Sequence, residues 1–287
     1  ASFLERTLES NLSGAGRDVR VTGFRGALSS TATMQRLTIA DDQGIWLTIN
    51  GATLDWSRSA ILSGEVRVTE LSAEEIIVAR LPATEGDAAA LPEPEATPFS
   101  LPELPVSIDI DKVAAVRIEL GETILGQPFE GTLSAALSLV GGEGDATLDL
   151  TRTDDGPSAR IALSGSYSNA TRNLVLSLDA TEDAGGIVVG LLGIPGAPSA
   201  EFRLSGEGPL EDHRATIRLA TDGKERLAGT VNLGQEADGS YRLVADVAGN
   251  IAPILAPDHV DFFGTDVGLT LDARLTTTGR MLVEDLS

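Results

Sequence analysis

The sequence predicts an all-β protein: a long curled antiparallel β-meander that forms a hydrophobic groove (a β-taco-like trough), with a short N-terminal helix and one or two small helical inserts. Three observations predict this fold class. Apolar residues recur at every second position over most of the 287 residues, which is the period of a strand with one apolar face. Turns rich in Gly and Asp separate these runs at hairpin spacing, which gives roughly 17 to 20 strands. Hydrophobic residues make up 42% of the chain and aromatic residues only 4%, so Leu, Val, Ile and Ala must line any apolar surface.

Residues 1–16 are expected to form the N-terminal helix. Ser2 and Glu5 fit a capping box, in which each side chain accepts a hydrogen bond from an exposed backbone N–H. Leucines at every fourth position form one apolar stripe. Two interpretations of this helix stay open: it plugs the end of a sheet, or it follows a removed membrane anchor.

Residues 17–81 predict the first segment of the groove. An alternating apolar run reaches Asn50-Gly51, and beyond this dipeptide the alternation continues with the opposite parity. A tight turn or a β-bulge would each produce such a change. Trp46 has the parity of the polar positions and is expected on the outer face unless a bulge reverses it, whereas Trp56 is expected to face the groove.

Residues 82–105 interrupt the pattern with the sequence PATEGDAAALPEPEATPFSLPELP. Proline has no N–H for a β-ladder and favours extended, unpaired backbone. We therefore expect a long flexible surface loop here.

Residues 106–287 continue the β-groove, with inserts near 185–198 and 250–264. The first insert predicts a short helix whose Val188, Leu191 and Leu192 lie over the apolar face of the sheet. The predicted groove-lining residues of the whole chain are Ile45, Leu47, Ile49, Leu133, Leu137, Leu139, Leu148, Leu150, Ile161, Leu163, Leu174, Leu176, Leu178, Leu269 and Leu271.

A meander with one continuous apolar face aggregates if that face stays exposed. The sheet can avoid this by closing into a barrel, folding into a sandwich or curling into a trough. A barrel of so many strands would be wide and would need filling. The scarcity of aromatic residues and the many Ala and Gly residues do not favour a tightly packed sandwich. A trough lined by Leu, Val and Ile remains, and lipid chains would fill it.

Charge and composition exclude several function classes. The net charge of −22, without a cluster of Lys and Arg, makes nucleic acid a poor partner. The absence of Cys excludes disulfides and thiol catalysis. We find no nucleophile elbow, phosphate-binding loop or zinc-protease motif, so we expect neither an enzyme nor a cofactor. His213 is expected in a polar turn or strand edge, and His259 in a solvated acidic loop, so neither predicts a metal site.

Several stretches resemble the TamB family, the translocation and assembly module proteins of the AsmA-like superfamily, to which chorein-motif bridge-like lipid transfer proteins are distant relatives. The resemblance rests on segments that occur in family order: GFRGALSS, RLTIADDQGIWLTI, LDWSRSAILSGEVRVTELSA and, later, GLLGIPGAPSAEFRLSGEGPLEDHRATIRLA. These segments lie towards both ends of the chain, and each is a loose motif by itself.

The resemblance implies a periplasmic protein of Gram-negative bacteria, anchored to the inner membrane by a helix that would precede this chain. It implies a groove that carries phospholipids towards the outer membrane. It also implies a role in assembling outer-membrane proteins with the partner TamA, through a region beyond this chain. The family has no catalytic residues to transfer.

Three hypotheses about function follow from the sequence. In the first, the apolar face binds acyl chains and the protein is a lipid conduit. In the second, the protein is a scaffold or chaperone whose strand edges capture strands of outer-membrane proteins. In the third, the apolar face packs on itself and the protein is an inert β-domain.

Overall fold

The computed structural model describes residues 5–6, 9–10, 13–14, 16–26, 31–82, 107–276 and 280–287. This part of the chain is nearly all β, with sixteen strands in one sheet, and the predicted fold class is confirmed. The strands are β1 (Asp18–Thr22), β2 (Arg25–Gly26), β3 (Thr31–Asp41), β4 (Gly44–Ser57), β5 (Glu65–Val78), β6 (Ser107–Leu120), β7 (Phe129–Val140), β8 (Glu143–Arg152), β9 (Ala159–Ser168), β10 (Asn173–Glu182), β11 (Ala200–Pro209), β12 (Asp212–Thr221), β13 (Lys224–Gln235), β14 (Tyr241–Gly249), β15 (Val267–Leu275) and β16 (Met281–Leu286).

The strands follow one another in the sheet in chain order from β3 to β16, and β1 lies beside β3, so the fold is a meander. One pair departs from the antiparallel pattern: β5 and β6 are parallel, with Glu65 beside Ser107 and Val78 beside Leu120. A parallel pair cannot be joined by a tight turn. The prediction of a loop at 82–105 concerns the connection between these two strands, and residues 83–106 of it lie outside the described residues.

The described helices are short and lie between strands: α1 (Arg58–Leu62), α2 (Glu122–Leu125), α3 (Ile187–Leu191), α4 (Pro257–Phe263) and a 3-10 turn (Ala252–Ile254). Helix α3 lies within the insert near 185–198, where a short helix was predicted, and the 3-10 turn and α4 lie within the insert near 250–264. Helix α2 ends at Gly126, whose φ of 75° is the left-handed conformation that glycine adopts without strain. Helices α1 and α2 are too short to give a periodic signal in the sequence, and they were not predicted.

Helical residues near the N-terminus cover the free edge of β1. Glu5 and Glu9 are helical, and their Oε1 atoms accept hydrogen bonds from the backbone N–H of Phe24 (2.9 Å) and Val21 (2.8 Å). The hydroxyl of Ser13 accepts one from Val19 N–H at 2.9 Å. Side chains thus take the place of a neighbouring strand, which is what the plug interpretation predicts. Ser2 and the leucine stripe of this helix lie outside the described residues.

The chain divides into two compact units. The first comprises Ala1–Asp87, Glu103–Gly141 and Ala146–Gly156, and the second comprises Ala88–Pro102, Gly142–Asp145 and Pro157–Ser287. Among the described residues, no helix is long and apolar enough to cross a membrane.

Candidate functional site: the apolar faces of the two units

In the first unit, cross-strand pairing aligns apolar residues into rows that run across strands β1 to β7. Paired residues of neighbouring strands point to the same face of a sheet. Each row can therefore be followed from register pair to register pair. The two rows nearest the β3–β4 hairpin are Val19, Ile39, Leu47, Val78, Leu120, Phe129 and then Val21, Leu37, Ile49, Ile76, Ile118, Gly131.

The parity change at Asn50-Gly51 is a feature of four adjacent strands. Strand β4 runs through this dipeptide without a turn, so the tight-turn interpretation is wrong. Gly51 has a φ of 61°, a left-handed conformation that reverses the alternation. Strands β3, β5 and β6 show the same feature. In each, two residues instead of one separate the row that contains Leu37 from the next apolar row, which contains Met34. The register of β3 to β6 therefore continues through the change, although the residues at its centre, Gln35, Gly51, Glu74 and Val116, are not paired with one another.

Strand β7 shows that the rows before and after this change share one face. Its alternate residues Gly131 and Leu133 pair with Ile118 and Ala115, which are three positions apart in β6. Side chains alternate regularly along β7, so Gly131 and Leu133 point to the same face. Their partners Ile118 and Ala115 therefore point to that face as well. The remaining rows of this unit are Met34, Ala52, Ala73, Ala115, Leu133; Ala32, Leu54, Leu71, Val113, Ala135; Trp56, Val68, Ile110, Leu137; and Val66, Ile108, Leu139.

Trp56 and Ile45 were both predicted to face the groove, and they differ in their position relative to the apolar rows. Trp56 pairs with Val68 and so joins an apolar row, as predicted. Ile45 does not extend the rows: it pairs with Ala40 beyond a register shift and is 52% exposed. Its place at the end of a hairpin puts it beyond the last apolar row, which the alternation of the sequence did not reveal. Leu148 and Leu150 lie half-buried on β8.

A polar line crosses the first unit where the parity changes. Asn50 Nδ2 donates a hydrogen bond to Glu75 Oε1 at 2.8 Å. Glu75 also pairs with Arg117, whose guanidinium reaches Glu119 (2.6 Å) and Glu130 (2.7 Å). The hydrogen bonds that Arg117 donates to Glu130 and Glu119 raise the pKa of Arg117, and the bond to Glu130 lowers the pKa of Glu130. The network holds β7 to β5 and β6 at the point where the pleat of β5 and β6 is irregular.

In the second unit, the apolar rows run across seven strands, β9 to β15. One row consists of Leu163, Leu178, Leu204, Ile217, Gly229, Val247 and Leu269. The next consists of Gly165, Leu176, Gly206, Ala215, Val231, Ala245 and Leu271. A third continues through Ile161, Ala180, Phe202, Leu219 and Leu227. These rows, together with Leu174 one row further on, bring together the seven groove-lining residues predicted from Ile161 to Leu271.

The opposite face of the second unit is polar. The row behind the apolar ones consists of Ser164, Ser177, Ser205, Thr216, Thr230, Asp246 and Thr270. Exposed ion pairs such as Arg203–Asp179, at 3.1 Å, join neighbouring strands on this side. Water solvates this face, so the apolar face is the only one of the two that needs a cover.

The apolar rows are only partly covered. None of the fifteen predicted groove residues is buried; Ile161 is 39% exposed and Leu269 40%. Residues in the middle of the rows are better covered, such as Ala115, Ala215 and Val247. A self-packed core would bury the large side chains at least as well as the alanines. This distribution is typical of an open apolar surface.

Helix α3 closes one end of the apolar face of the second unit. Glu182, at the end of β10, accepts hydrogen bonds from the backbone N–H of Val188 (3.0 Å) and Val189 (2.8 Å). Ile187 and Val189 are buried, whereas Val188, Leu191 and Leu192 are exposed. The prediction that these three residues lie over the sheet is therefore wrong. The carboxylate of Glu182 fixes which side of the helix faces inwards, and the sequence spacing did not show this.

A polar group of side chains lines the other end, and we call it the end cluster. It consists of Tyr167, Arg172, Glu211, Gln235 and Tyr241, from the ends of β9, β10, β12, β13 and β14. Arg172 forms an ion pair with Glu211, and its Nη2 donates a hydrogen bond to Gln235 Oε1 at 3.2 Å. Burial raises the pKa of the Tyr167 phenol, and Tyr241 and Glu211 raise it further while Arg172 lowers it.

Sequence reasoning missed the end cluster because its charged members lie in hairpin turns, where polar residues are expected. One signal was available: Tyr167 and Tyr241 are the two tyrosines of the chain, and both have the parity of the apolar rows. The prediction for the neighbouring His213 is wrong. It is a buried strand residue beside Leu233, with Nδ1 3.1 Å from the carbonyl oxygen of Gly208.

His259 lies in helix α4 rather than in a loop, and its side chain lies outside the described residues. Within the described ranges, no group of three or more His, Asp or Glu side chains could hold a metal ion.

No protein-family model, curated protein or solved structure matches this chain. The resemblance to the TamB family thus depends on the sequence segments alone. The apolar faces are the structural feature that points to a function.

Proposed function

We propose that the apolar faces bind the acyl chains of phospholipids and that the protein is a segment of a bridge-like lipid carrier. The observation that carries this proposal is the set of apolar rows across β9 to β15, which leaves large aliphatic side chains half-exposed. Seven strands at about 4.8 Å spacing make this surface roughly 29 Å wide. An aliphatic surface of this size needs an apolar occupant, and each CH₂ group buried on it contributes about 0.8 kcal/mol.

The lining also suits movement along the rows. Leu, Val, Ile and Ala present no hydrogen-bonding side chain, so successive positions differ little in their affinity for a hydrocarbon chain. The resemblance to the TamB family extends the proposal: the carrier would be periplasmic, anchored to the inner membrane, and would pass phospholipids towards an outer membrane that holds the partner TamA.

A second candidate function is a scaffold that adds strands of outer-membrane proteins to an open sheet edge. Glu9 and Ser13 accept hydrogen bonds from the N–H groups of Val21 and Val19 in β1, so addition at that edge would first have to displace these side chains. Strand β16 is exposed along its whole length, and Met281 and Val283 face solvent.

Leu176→Asp tests the lipid proposal, with Ser177→Asp as its matched control. The two positions are consecutive in β10 and point to opposite faces. We expect wild type and Ser177→Asp to retain co-purifying phospholipid in mass spectrometry and to take up a labelled phospholipid. We expect Leu176→Asp to fold but to lose most of both, because the carboxylate places a charge within the hydrocarbon path.

Circular dichroism and thermal unfolding would establish that both variants fold. Equal lipid loading of the two folded variants would refute the face assignment. Absence of lipid from all three proteins, with no uptake of the added lipid, would favour the scaffold function instead.

A further inference from the structure

The end cluster and the apolar rows of the second unit together have the dimensions of one phospholipid molecule. From Leu174 to Ala180, strand β10 carries apolar-face residues over six residues, or about 20 Å at 3.3 Å per residue. One leaflet of a bilayer has about 15 Å of hydrocarbon, half of the roughly 30 Å core. Helix α3 closes the apolar end of this span and the end cluster lies at the other. A lipid lying along β10 would therefore meet the end cluster with its headgroup.

Two polar atoms of the end cluster are buried without a hydrogen-bond partner among the described residues: Arg172 Nε and Tyr241 Oη. Arg172 Nε has a charged partner all the same, because it forms the ion pair with Glu211, whereas Tyr241 Oη has none among the described residues. Buried donors without an acceptor are rare in folded proteins, and each costs free energy that a ligand can recover. An anionic oxygen at this end of the rows would accept from Tyr241 Oη and would compete with Glu211 for the Arg172 guanidinium.

The cluster carries one charge of each sign. The side chain of Arg172 is 28% exposed and that of Glu211 is 42% exposed, so neither charge is fully buried. An isolated phosphate would gain from Arg172 but would be repelled by Glu211. A headgroup with both a phosphate and an ammonium group matches the pair, because its phosphate can accept from Arg172 and Tyr241 while its ammonium group meets Glu211.

We propose that the end cluster is a headgroup site for a zwitterionic phospholipid whose acyl chains lie on the rows of β9 to β15. This inference rests on the proposed function and adds to it the chemistry of the headgroup.

The test measures displacement of an apolar fluorescent dye from the 287-residue chain by soluble phospholipids with identical short acyl chains. One carries a phosphoethanolamine headgroup, which is zwitterionic, and the other a phosphoglycerol headgroup, which is anionic. For wild type we expect the zwitterionic lipid to bind about tenfold more tightly. Glycerophosphoethanolamine without acyl chains should not displace the dye, which distinguishes a lipid site from a site for the free phosphodiester.

Three substitutions dissect the site. Glu211→Gln should abolish the preference for the zwitterionic lipid, because it removes the partner of the ammonium group. Tyr241→Phe should weaken both lipids about fivefold, because it removes one donor and leaves the ring in place. Arg172→Gln should weaken both by about tenfold or more. The matched control is Arg203→Gln, which removes an arginine of the exposed pair with Asp179 on the polar face and should leave every affinity unchanged.

The outcomes separate the two proposals. If both lipids displace the dye with equal affinity from wild type and from Glu211→Gln, the headgroup inference is wrong and the lipid-binding proposal stands. If neither lipid displaces the dye from the wild-type protein, the proposed function itself fails. Displacement by the headgroup without acyl chains would overturn the view that one molecule spans the cluster and the rows.

Discussion

Replacing Gly229 by alanine tests how closely the strands of the second unit approach one another under the apolar rows. Gly229 lies between Ile217 and Val247 in such a row. A Cβ atom added to it would lie 2.0 Å from the carbonyl oxygen of Asp246 and 2.7 Å from the Cα of Val247. Both atoms belong to the main chain of β14, so no change of rotamer can make room.

The magnitude follows from the size of the overlap. Ordinary contacts of a Cβ atom begin at 3.4 Å, so the shortfall from 2.0 Å is 1.4 Å. Overpacking costs about 1 to 3 kcal/mol where side chains can yield. Because here a strand must move, we expect Gly229→Ala to cost about 3 kcal/mol, the top of that range. For a chain of this size, that loss lowers Tm by roughly 6 to 12 °C.

Gly268→Ala is the matched control. Gly268 is also a mid-strand glycine of the second unit, in β15, but no atom lies within 4 Å of an added Cβ. We expect this variant to be neutral or stabilised by up to about 1 kcal/mol, because alanine restricts the unfolded chain more than glycine does. The assay is thermal and urea unfolding of both variants beside wild type. Equal stability of Gly229→Ala and Gly268→Ala would refute the close approach of β13 and β14.

Two further predictions concern the edge of the sheet and its surface charges. Glu9→Ala should cost about 1 to 2 kcal/mol and speed hydrogen exchange at the Val21 amide, because it removes the acceptor of that N–H; an unchanged exchange rate would contradict the edge cover. The hydrogen bond from Arg242, with its charge, lowers the pKa of Asp272 below 3.8. The stabilisation from this pair is thus present above pH 3.8 and is lost as pH falls through the lowered pKa. Arg242→Gln should return the Asp272 pKa towards 3.8 in a carboxyl NMR titration, and Arg203→Gln should not.

Much of the fold could be predicted because the alternation of side chains along a strand depends only on neighbouring residues in the chain. In β10, Leu174, Leu176 and Leu178 recur at every second position, and each pairs with an apolar-face residue of β9. One-residue slips of register would turn every leucine to the polar side, so the hydrophobic pattern also restricts the register. The predicted end plug has the same local origin, since the carboxylates that reach β1 belong to a short helix beside it.

The errors arise where a partner distant in sequence decides the outcome. The sequence could not show that β5 and β6 are parallel, because their pairing depends on the path of the crossover. It could not show that α3 buries Val189 and exposes Leu192, because Glu182 sets that orientation. His213 was assigned to a polar site by its charged neighbours, whereas its strand partner Leu233 places it on the apolar face.

The sequence by itself determined an all-β meander with one aliphatic and one polar face, because alternation and turn composition act through the nearest neighbours along the chain. Only the tertiary structure decided that the rows on either side of Gly51 share a face, because β7 supplies that constraint from about eighty residues away. Only the tertiary structure brought Tyr167, Arg172 and Tyr241 to one end of those rows, because hairpins with separate sequences meet there when β9 to β14 pair in order. The candidate lipid-binding face is thus encoded locally, whereas the end cluster proposed to recognise the headgroup is a product of strand order.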